Sequence, residues 1–417
     1  MKIEKYSIGI GDRFGHQGAA QLAAFVKMKE RGIDIVPVWN KSNREHSLIG
    51  TKPFDVRIEA DDAVKKLGWK DSYYVDADHI GINTVDLFLD SSNYFTLDVA
   101  DFIGKEPARD DLEKFTEACR KYVRNLRVPG LKENILITQE MIEAVGKKYL
   151  SAVKEAGKIY RHILSRKREG NFITEVSTDE SSEPQTPAEL FLILAALAQE
   201  GVMIQTIATK FTGEFLKGVD YVGDSKQFAK EFEQDVAVIS YAVKEFSFPE
   251  NLKISVHSGS DKFSIYPIIN RTIKKFNAGL HLKTAGTTWL EEVIGLAKSG
   301  GEGLHIAKDI YVQSYRRFDE LTKPYLTVID IDATKLPAPA AVKGWNSKDF
   351  VLVLKHDQSC PQYNNSFRQL VHIGYKIAAE MGERFTTALV ASQKEINAGV
   401  TENIYQRHLV PLFLNND

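Results

Sequence analysis

The sequence predicts an α/β protein of the TIM-type (β/α)8 barrel class, carrying a helical insertion and a helical C-terminal extension. Three observations lead to this class. Short apolar runs rich in β-branched residues alternate with amphipathic helical patterns along most of the 417 residues. Several of those runs end in clustered Asp, Glu, His and Lys, the place where a parallel barrel carries its reactive groups. No fixed-period repeat or low-complexity linker divides the chain, so residues 1–417 read as a single barrel domain.

Taken in order, residues 6–10 read as the first strand and 17–31 as a helix that stops at Gly32. Residues 33–39 form the second strand, 55–67 a helix closed by Gly68, and 72–75 the third strand. Residues 101–168 turn helical, interrupted by Pro107 and Pro129-Gly130, and read as an insertion within the barrel. Strands resume at 172–176, 203–208, 253–256 and 279–282, with helices at 187–199, 225–246, 266–276 and 288–298. Residues 326–331 and 350–354 read as two more strands. These candidates outnumber the eight places of a barrel, so one or two are misread or lie outside it. Residues 366–417 form the helical extension, with Gly382 and Gly399 as stops.

Composition narrows the function. A net charge of −2, from 54 basic and 56 acidic residues, offers no global field for nucleic acid or an anionic membrane. Cys119 and Cys360 stand far apart without Cys-x-x-Cys spacing, which excludes a disulfide framework or a cysteine zinc site. The start, Met1-Lys2-Ile3-Glu4-Lys5, has no apolar core of a signal peptide, and no run of 18 apolar residues occurs, so a cytoplasmic location is expected. Association into a homo-oligomer stays open.

Strand phase selects the candidate site. Residues of a strand that differ by two share a face. His257 is in phase with Ser255 and opposite Ile254 and Val256; His281 and Lys283 lie opposite Leu280 and Leu282; Glu175 follows Ile173. Neutral imidazoles and a carboxylate brought from separate strands suit a divalent zinc, manganese, nickel or iron and leave positions open for substrate. Glu175, His257 and His281 are therefore the expected ligands. The third strand runs straight into Asp76-Ala77-Asp78-His79, and these three polar residues are expected to do acid–base work.

The first loop offers Asp12, Arg13 and His16 to the barrel mouth, and the strand-end lysines Lys210, Lys262 and Lys283 suit a substrate carboxylate. His356, ending the apolar run 351–354, is a further substrate contact. Asp330 and Asp332 read equally well as helix caps, His46, His162 and His305 as surface residues, and His372 as structural.

A dinucleotide fold is the rival. Gly9-Ile10-Gly11-Asp12-Arg13-Phe14-Gly15 is G-x-G-x-x-x-G, one residue longer than the fingerprint, and Arg44 after the second strand suits a 2′-phosphate. Asp12, however, sets negative charge where a pyrophosphate must approach.

The runs Gly11-Asp12-Arg13-Phe14-Gly15-His16-Gln17-Gly18, Asp76-Ala77-Asp78-His79-Ile80-Gly81, Val256-His257-Ser258-Gly259-Ser260-Asp261-Lys262 and His281-Leu282-Lys283-Thr284-Ala285-Gly286-Thr287-Thr288-Trp289-Leu290-Glu291 together resemble the tagaturonate/fructuronate epimerase family. The resemblance extends over nearly the whole chain. It implies a barrel, dependence on a divalent metal and a small ketouronate or ketose substrate. Members interconvert D-tagaturonate and D-fructuronate in bacterial hexuronate breakdown, and relatives act on D-tagatose and D-fructose. The carbon to be inverted is not α to the ketone, so simple enolisation cannot reach it. Retro-aldol cleavage and re-addition fits the metal set better than transient oxidation at a poor nicotinamide fingerprint; deprotonation next to the carboxylate is a third route. A metal-dependent aldolase and a non-catalytic sugar-acid-binding subunit are the alternative functions.

Overall fold

The computed structural model describes residues 1–414. The barrel begins with four parallel strands, β1 (Tyr6–Ile10), β2 (Val36–Ser42), β3 (Tyr74–Ile80) and β4 (Tyr94–Asp98). A separate antiparallel pair follows, β5 (Arg124–Leu126) and β6 (Ile135–Ile137). The barrel resumes with β7 (Ile173–Ser177), β8 (Thr206–Ala208), β9 (Lys253–His257) and β10 (Leu280–Lys283), and β10 pairs with β1 to close it. All eight barrel pairings are parallel, which needs a crossover connection between successive strands.

Alternation along each strand sorts the side chains. Outward residues such as Ile8, Trp39, Val75, Phe95, Val176 and Leu282 join the main core beneath the helices. Inward residues near the strand starts, Val36, Val38, Tyr74, Tyr94 and Ile173, gather with Ile3 into a second apolar cluster. Each such buried side chain contributes about 1.5–3 kcal/mol. This cluster floors the barrel at its N-terminal end, and the polar inward residues stand above it, toward the strand C-termini.

Local chemistry sets the helix boundaries. Thr186 caps helix Pro187–Gln199, with Glu189 completing a capping box and Pro187 in the first turn. Asp224 caps helix Ser225–Phe246 through the amides of Lys226 and Gln227. Between β4 and its neighbour β7, helices Arg109–Cys119 and Gln139–Lys167 flank the β5–β6 pair, and the longer one packs on Pro187–Gln199. After β10 the described residues form helices and loops through Val410–Phe413. No helix among the described residues is long and apolar enough to cross a membrane.

Two expected strands are not strands, and three strands are new. Residues 326–331 follow a 3-10 turn as irregular chain; Val328 lends its carbonyl to the Lys217 amide instead of to a ladder. Residues 350–354 belong to helix Ser347–Leu354, because Asn346 and Asp349 form a capping box that starts a helix despite the valines that follow. The β5–β6 pair lies within residues 101–168, so that insertion is not helical throughout; in the barrel the new strand is β4. Its apolar residues alternate with polar ones, but only a 3-10 turn, Val85–Leu87, separates it from β3. The strand–helix rhythm is broken there, which hid it.

Asp235, buried in helix Ser225–Phe246, accepts a hydrogen bond from Thr209 Oγ1 at 2.9 Å. Burial, with the nearby Glu231 charge adding to it, pushes its carboxyl up to about 8. The folded state thus holds a proton that the unfolded chain releases near pH 4. That contribution is fully present below pH 4 and is lost as pH rises through about 8. Asp235→Asn keeps the shape and removes the titration. Its thermal midpoint at pH 8–9 is expected above wild type, by roughly a few kcal/mol in stability. Parallel wild-type and variant melting curves from pH 5 to 9 would refute this.

Candidate active site

Lys283, on β10, stands at the centre of the polar interior. Its Nζ lies 2.8 Å from Asp76 Oδ2, 2.9 Å from Asp78 Oδ1 and 3.1 Å from Glu175 Oε1, and it donates to Thr96 Oγ1. These partners come from β3, β4 and β7, so the group exists only because the barrel closes. Glu175 also accepts from His257 Nε2 at 2.8 Å and from Tyr94 at 2.8 Å. On the far side of the His257 ring, Nδ1 lies 3.2 Å from Asp179 Oδ2.

His79 joins this group through an irregularity. Strict alternation would turn it away from Asp78. Instead, the β3–β4 register shifts between Ala77 and Ile80, and His79 has φ 52°, an unusual backbone for a non-glycine residue. The ring stands 5.3 Å from that of His257, edge to face, with Nδ1 3.8 Å from Asp98 Oδ2. Strain of about 1–3 kcal/mol is commonly held at functional sites.

Charge is distributed unevenly among these groups. Burial raises the Asp76 carboxyl to about 6, against the pull of Lys283. Burial acts in the same sense on Asp78, but Lys283 and His79 outweigh it and hold it at about 2. Glu175 is likewise kept well below the usual range by Lys283 and His257 despite burial. Against burial, Asp78 raises His79 to about 9, and Asp179 with Glu175 raises His257 to about 10. Two carboxyls on one strand are thereby held apart, the pattern that separates acid from base.

The expected ligands divide. Glu175 and His257 are in direct contact, whereas His281 lies deeper in the barrel. Its Nδ1 is 2.8 Å from Ser7 Oγ, its ring packs 5.3 Å from that of Tyr94, and burial lowers its pKa to about 3. As the side chains stand, no three His, Cys, Asp or Glu residues among those described converge to hold a metal ion.

Several expected substrate contacts have other work. Asp12 accepts hydrogen bonds from the amides of Phe14, Gly15, His16 and Gln17, which shapes the first loop. Those amides are the donors a pyrophosphate would need, so the glycine loop is filled by its own carboxylate. His16 is exposed, away from the polar interior. Lys262 is buried, with Nζ donating to the carbonyls of Leu216 and Val219 at 3.0 and 2.8 Å, which pins a loop. Lys210 bonds Gln185 through its backbone, and its ammonium has no hydrogen-bond or ion-pair partner among the described residues. His356 ends a helix, not a strand, and its Nδ1 lies 3.0 Å from the buried Asp261. Lys283 is saturated by carboxylates of the protein itself, which removes it as a free anchor for a substrate anion. Arg13 remains at the rim, 3.1 Å from Glu45.

The remaining histidines sort by burial. His46 is buried, bonded to Thr51 Oγ1 at 2.9 Å and packed on Phe88, so it is not a surface residue. His162 pairs with Asp86 at 2.7 Å, His305 is exposed, and His372 is buried. Tyr94, Thr96, Asp98 and Asp179 are site residues that the sequence reading missed. The period-two pattern Tyr94, Thr96, Asp98 against Phe95 and Leu97 was the available signal.

Comparison with known proteins bears on the family and the fold. Residues 1–411 match the family described as tagaturonate epimerase. The chain is 29% identical over 420 residues to a tagaturonate/fructuronate epimerase of Thermotoga maritima, covering 97% of this chain and 80% of that one. Among solved structures it is similar to the fructuronate-tagaturonate epimerase of Cohnella laeviribosi. The glycerol complex superposes with a TM-score of 0.81 at 26% identity, over 99% of this chain and 82% of that one. The native form gives 0.79 at 25% identity, with the same coverage.

Proposed function

Because the chain belongs to the tagaturonate epimerase family, we propose that it interconverts D-tagaturonate and D-fructuronate by metal-assisted retro-aldol cleavage and re-addition. The observation that carries the reading is the Asp76, Asp78, Glu175, His257 and Lys283 cluster at the barrel mouth of a chain in this family.

The donor types suit a divalent ion, and holding one requires the side chains to turn from their present positions, where they do not converge on one point. The buried Nδ1 atoms of His79 and His257 make no well-aligned hydrogen bond, although each faces a carboxylate, Asp98 Oδ2 at 3.8 Å and Asp179 Oδ2 at 3.2 Å, with Asp78 and Glu175 close by. Glu175 and His257 would hold the ion, with a further ligand from Asp78 or His79. Zinc, manganese, nickel or iron would suit such nitrogen and oxygen donors. When bound, the ion would supply Lewis-acid polarisation of the ketone and its neighbouring hydroxyl.

The remaining work falls to the protein. Asp78 and His79, the more accessible members, are placed to take the proton from the hydroxyl of the inverting carbon and return it to the opposite face. Between those transfers the adjoining C–C bond breaks, its electron pair stays with the ketone fragment, and the aldehyde half turns before the bond re-forms. Lys283 keeps Asp76, Asp78 and Glu175 oriented throughout.

The test uses purified full-length protein and D-fructuronate deuterated at the inverting carbon. Exhaustive chelation is expected to abolish conversion, and divalent metal to restore it. The D-tagaturonate formed should retain the deuterium, since no bond to that hydrogen breaks. Full activity in metal-free protein would reject the metal. Washout of label would reject the aldol route. Accumulating fragments would make the protein an aldolase, and binding without turnover a non-catalytic subunit.

A further inference from the structure

We infer that Arg13, Arg44 and Lys217 form a carboxylate-binding subsite, roofed by Tyr325 and Tyr375, that anchors the acid end of a hexuronate substrate. This rests on the epimerase reading for the substrate and on the geometry below for the site.

The three cations come from loops after different strands. Arg13 follows β1, Arg44 lies in helix Asn43–Ile49 after β2, and Lys217 is in the loop after β8. All therefore sit on the rim that carries Asp78. The two tyrosines come from the helical region beyond β10 and are joined hydroxyl to hydroxyl at 2.8 Å. Arg13 stacks on the Tyr375 ring at 4.3 Å, while Arg44 and Lys217 face the Tyr325 ring at 5.1 and 5.7 Å. Such stacking holds cations in place without neutralising them.

Acidic compensation is incomplete. Glu45 pairs with Arg13 Nε at 3.1 Å and also serves the capping box of its own helix. The Arg44 guanidinium and the Lys217 ammonium have no hydrogen-bond or ion-pair partner among the described residues. Arg13 itself is only 8% exposed, and its buried Nη1 has no partner either. A buried guanidinium nitrogen left unsatisfied is costly unless a ligand completes it. Mutual repulsion is visible as well: burial, with Arg13 and Arg44 beside it, lowers the Lys217 ammonium to about 8. An anion relieves all three groups at once.

The subsite adjoins the reacting cluster. Asp78 is near enough for its charge to act on both Lys217 and Glu45. A substrate with a ketone and hydroxyls at one end and a carboxylate at the other bridges the two. Arg13 offers a planar fork suited to a carboxylate, and Arg44 and Lys217 add charge. A neutral ketose would leave this pocket unfilled.

The test measures Lys217→Met and Arg44→Met in full-length, metal-reconstituted protein, with Arg44→Lys as the conservative control. KM for D-fructuronate is expected to rise about 10- to 100-fold in each Met variant, with kcat within about threefold and Arg44→Lys near wild type. Calorimetric titration supplies a readout without turnover: D-gluconate should bind wild type and weaken comparably in the Met variants, whereas D-glucitol, which lacks the carboxylate, should show no such dependence. Arg44 is exposed, so its loss leaves the fold measurable even where Lys217→Met does not. Unchanged KM and unchanged gluconate binding overturn the subsite while leaving the epimerase reading intact. A fall in kcat alone, or equal weakening for gluconate and glucitol, also overturns it. Wild-type protein that binds gluconate through Lys217 yet never converts D-fructuronate sinks the epimerase reading and keeps the subsite.

Discussion

Glu175→Gln is expected to lower kcat/KM for D-fructuronate by about 10²–10⁴-fold, with the fold retained. The side chain keeps its volume, so the barrel still packs. What changes is the acceptor that four neighbours share: Lys283 at 3.1 Å, His257 at 2.8 Å, Tyr94 at 2.8 Å and Thr96 at 3.3 Å. An amide brings donors where those neighbours present donors of their own, and it removes the charge that helps keep His257 protonated. His257 and Lys283 then lose their common reference point, and a divalent ion loses its proposed carboxylate ligand. Steady-state kinetics with metal content measured on the same sample checks this. Turnover near wild type with undiminished metal would place the catalytic centre elsewhere in the barrel. Lys283→Met is the harsher change, since it leaves Asp76, Asp78 and Glu175 facing each other unneutralised, and its unfolding would not bear on catalysis.

Arg368→Met is expected to destabilise the protein by about 3–5 kcal/mol, with little meaning for the chemistry itself. Asp261, fully buried beyond β9, is held by Arg368 Nη2 at 2.9 Å, His356 Nδ1 at 3.0 Å and Thr287 Oγ1 at 2.9 Å. Arg368 also donates to the Leu354 carbonyl at 2.7 Å and to that of Gly218. These contacts clamp the C-terminal helices onto the barrel rim. Methionine fills part of the volume but leaves a buried carboxylate and two carbonyls short of donors. Denaturant unfolding of the variant measures the cost. Adding Asp261→Asn to Arg368→Met should recover part of it, because the unpaired charge is then gone. A loss below about 1 kcal/mol would mean that the ion pair merely offsets its own desolvation.

The barrel class and seven of its eight strands were legible in the sequence because hydrophobic alternation is a local property. Each run of two-residue period announces its buried face wherever the chain later goes. The same periodicity correctly placed Glu175, His257, His281 and Lys283 inside the barrel. It could not separate the levels within it, so His281 was grouped with His257 although it bonds Ser7 farther down. Nor could it find Lys283 as a saturated hub, since its three carboxylates arrive from β3 and β7 only when the sheet closes. His79 entered the site through a register shift that alternation forbids. Valines at 351 and 353 suggested a strand, yet the capping box at Asn346 and Asp349 started a helix, and His356 went to Asp261 instead of to substrate. Which faces are apolar, and hence the barrel, could be read along the chain, because the two-residue period is set by residues adjacent in sequence. Which charges meet emerged on folding alone, because ion pairs form at about 3 Å between residues that the chain separates by scores of positions.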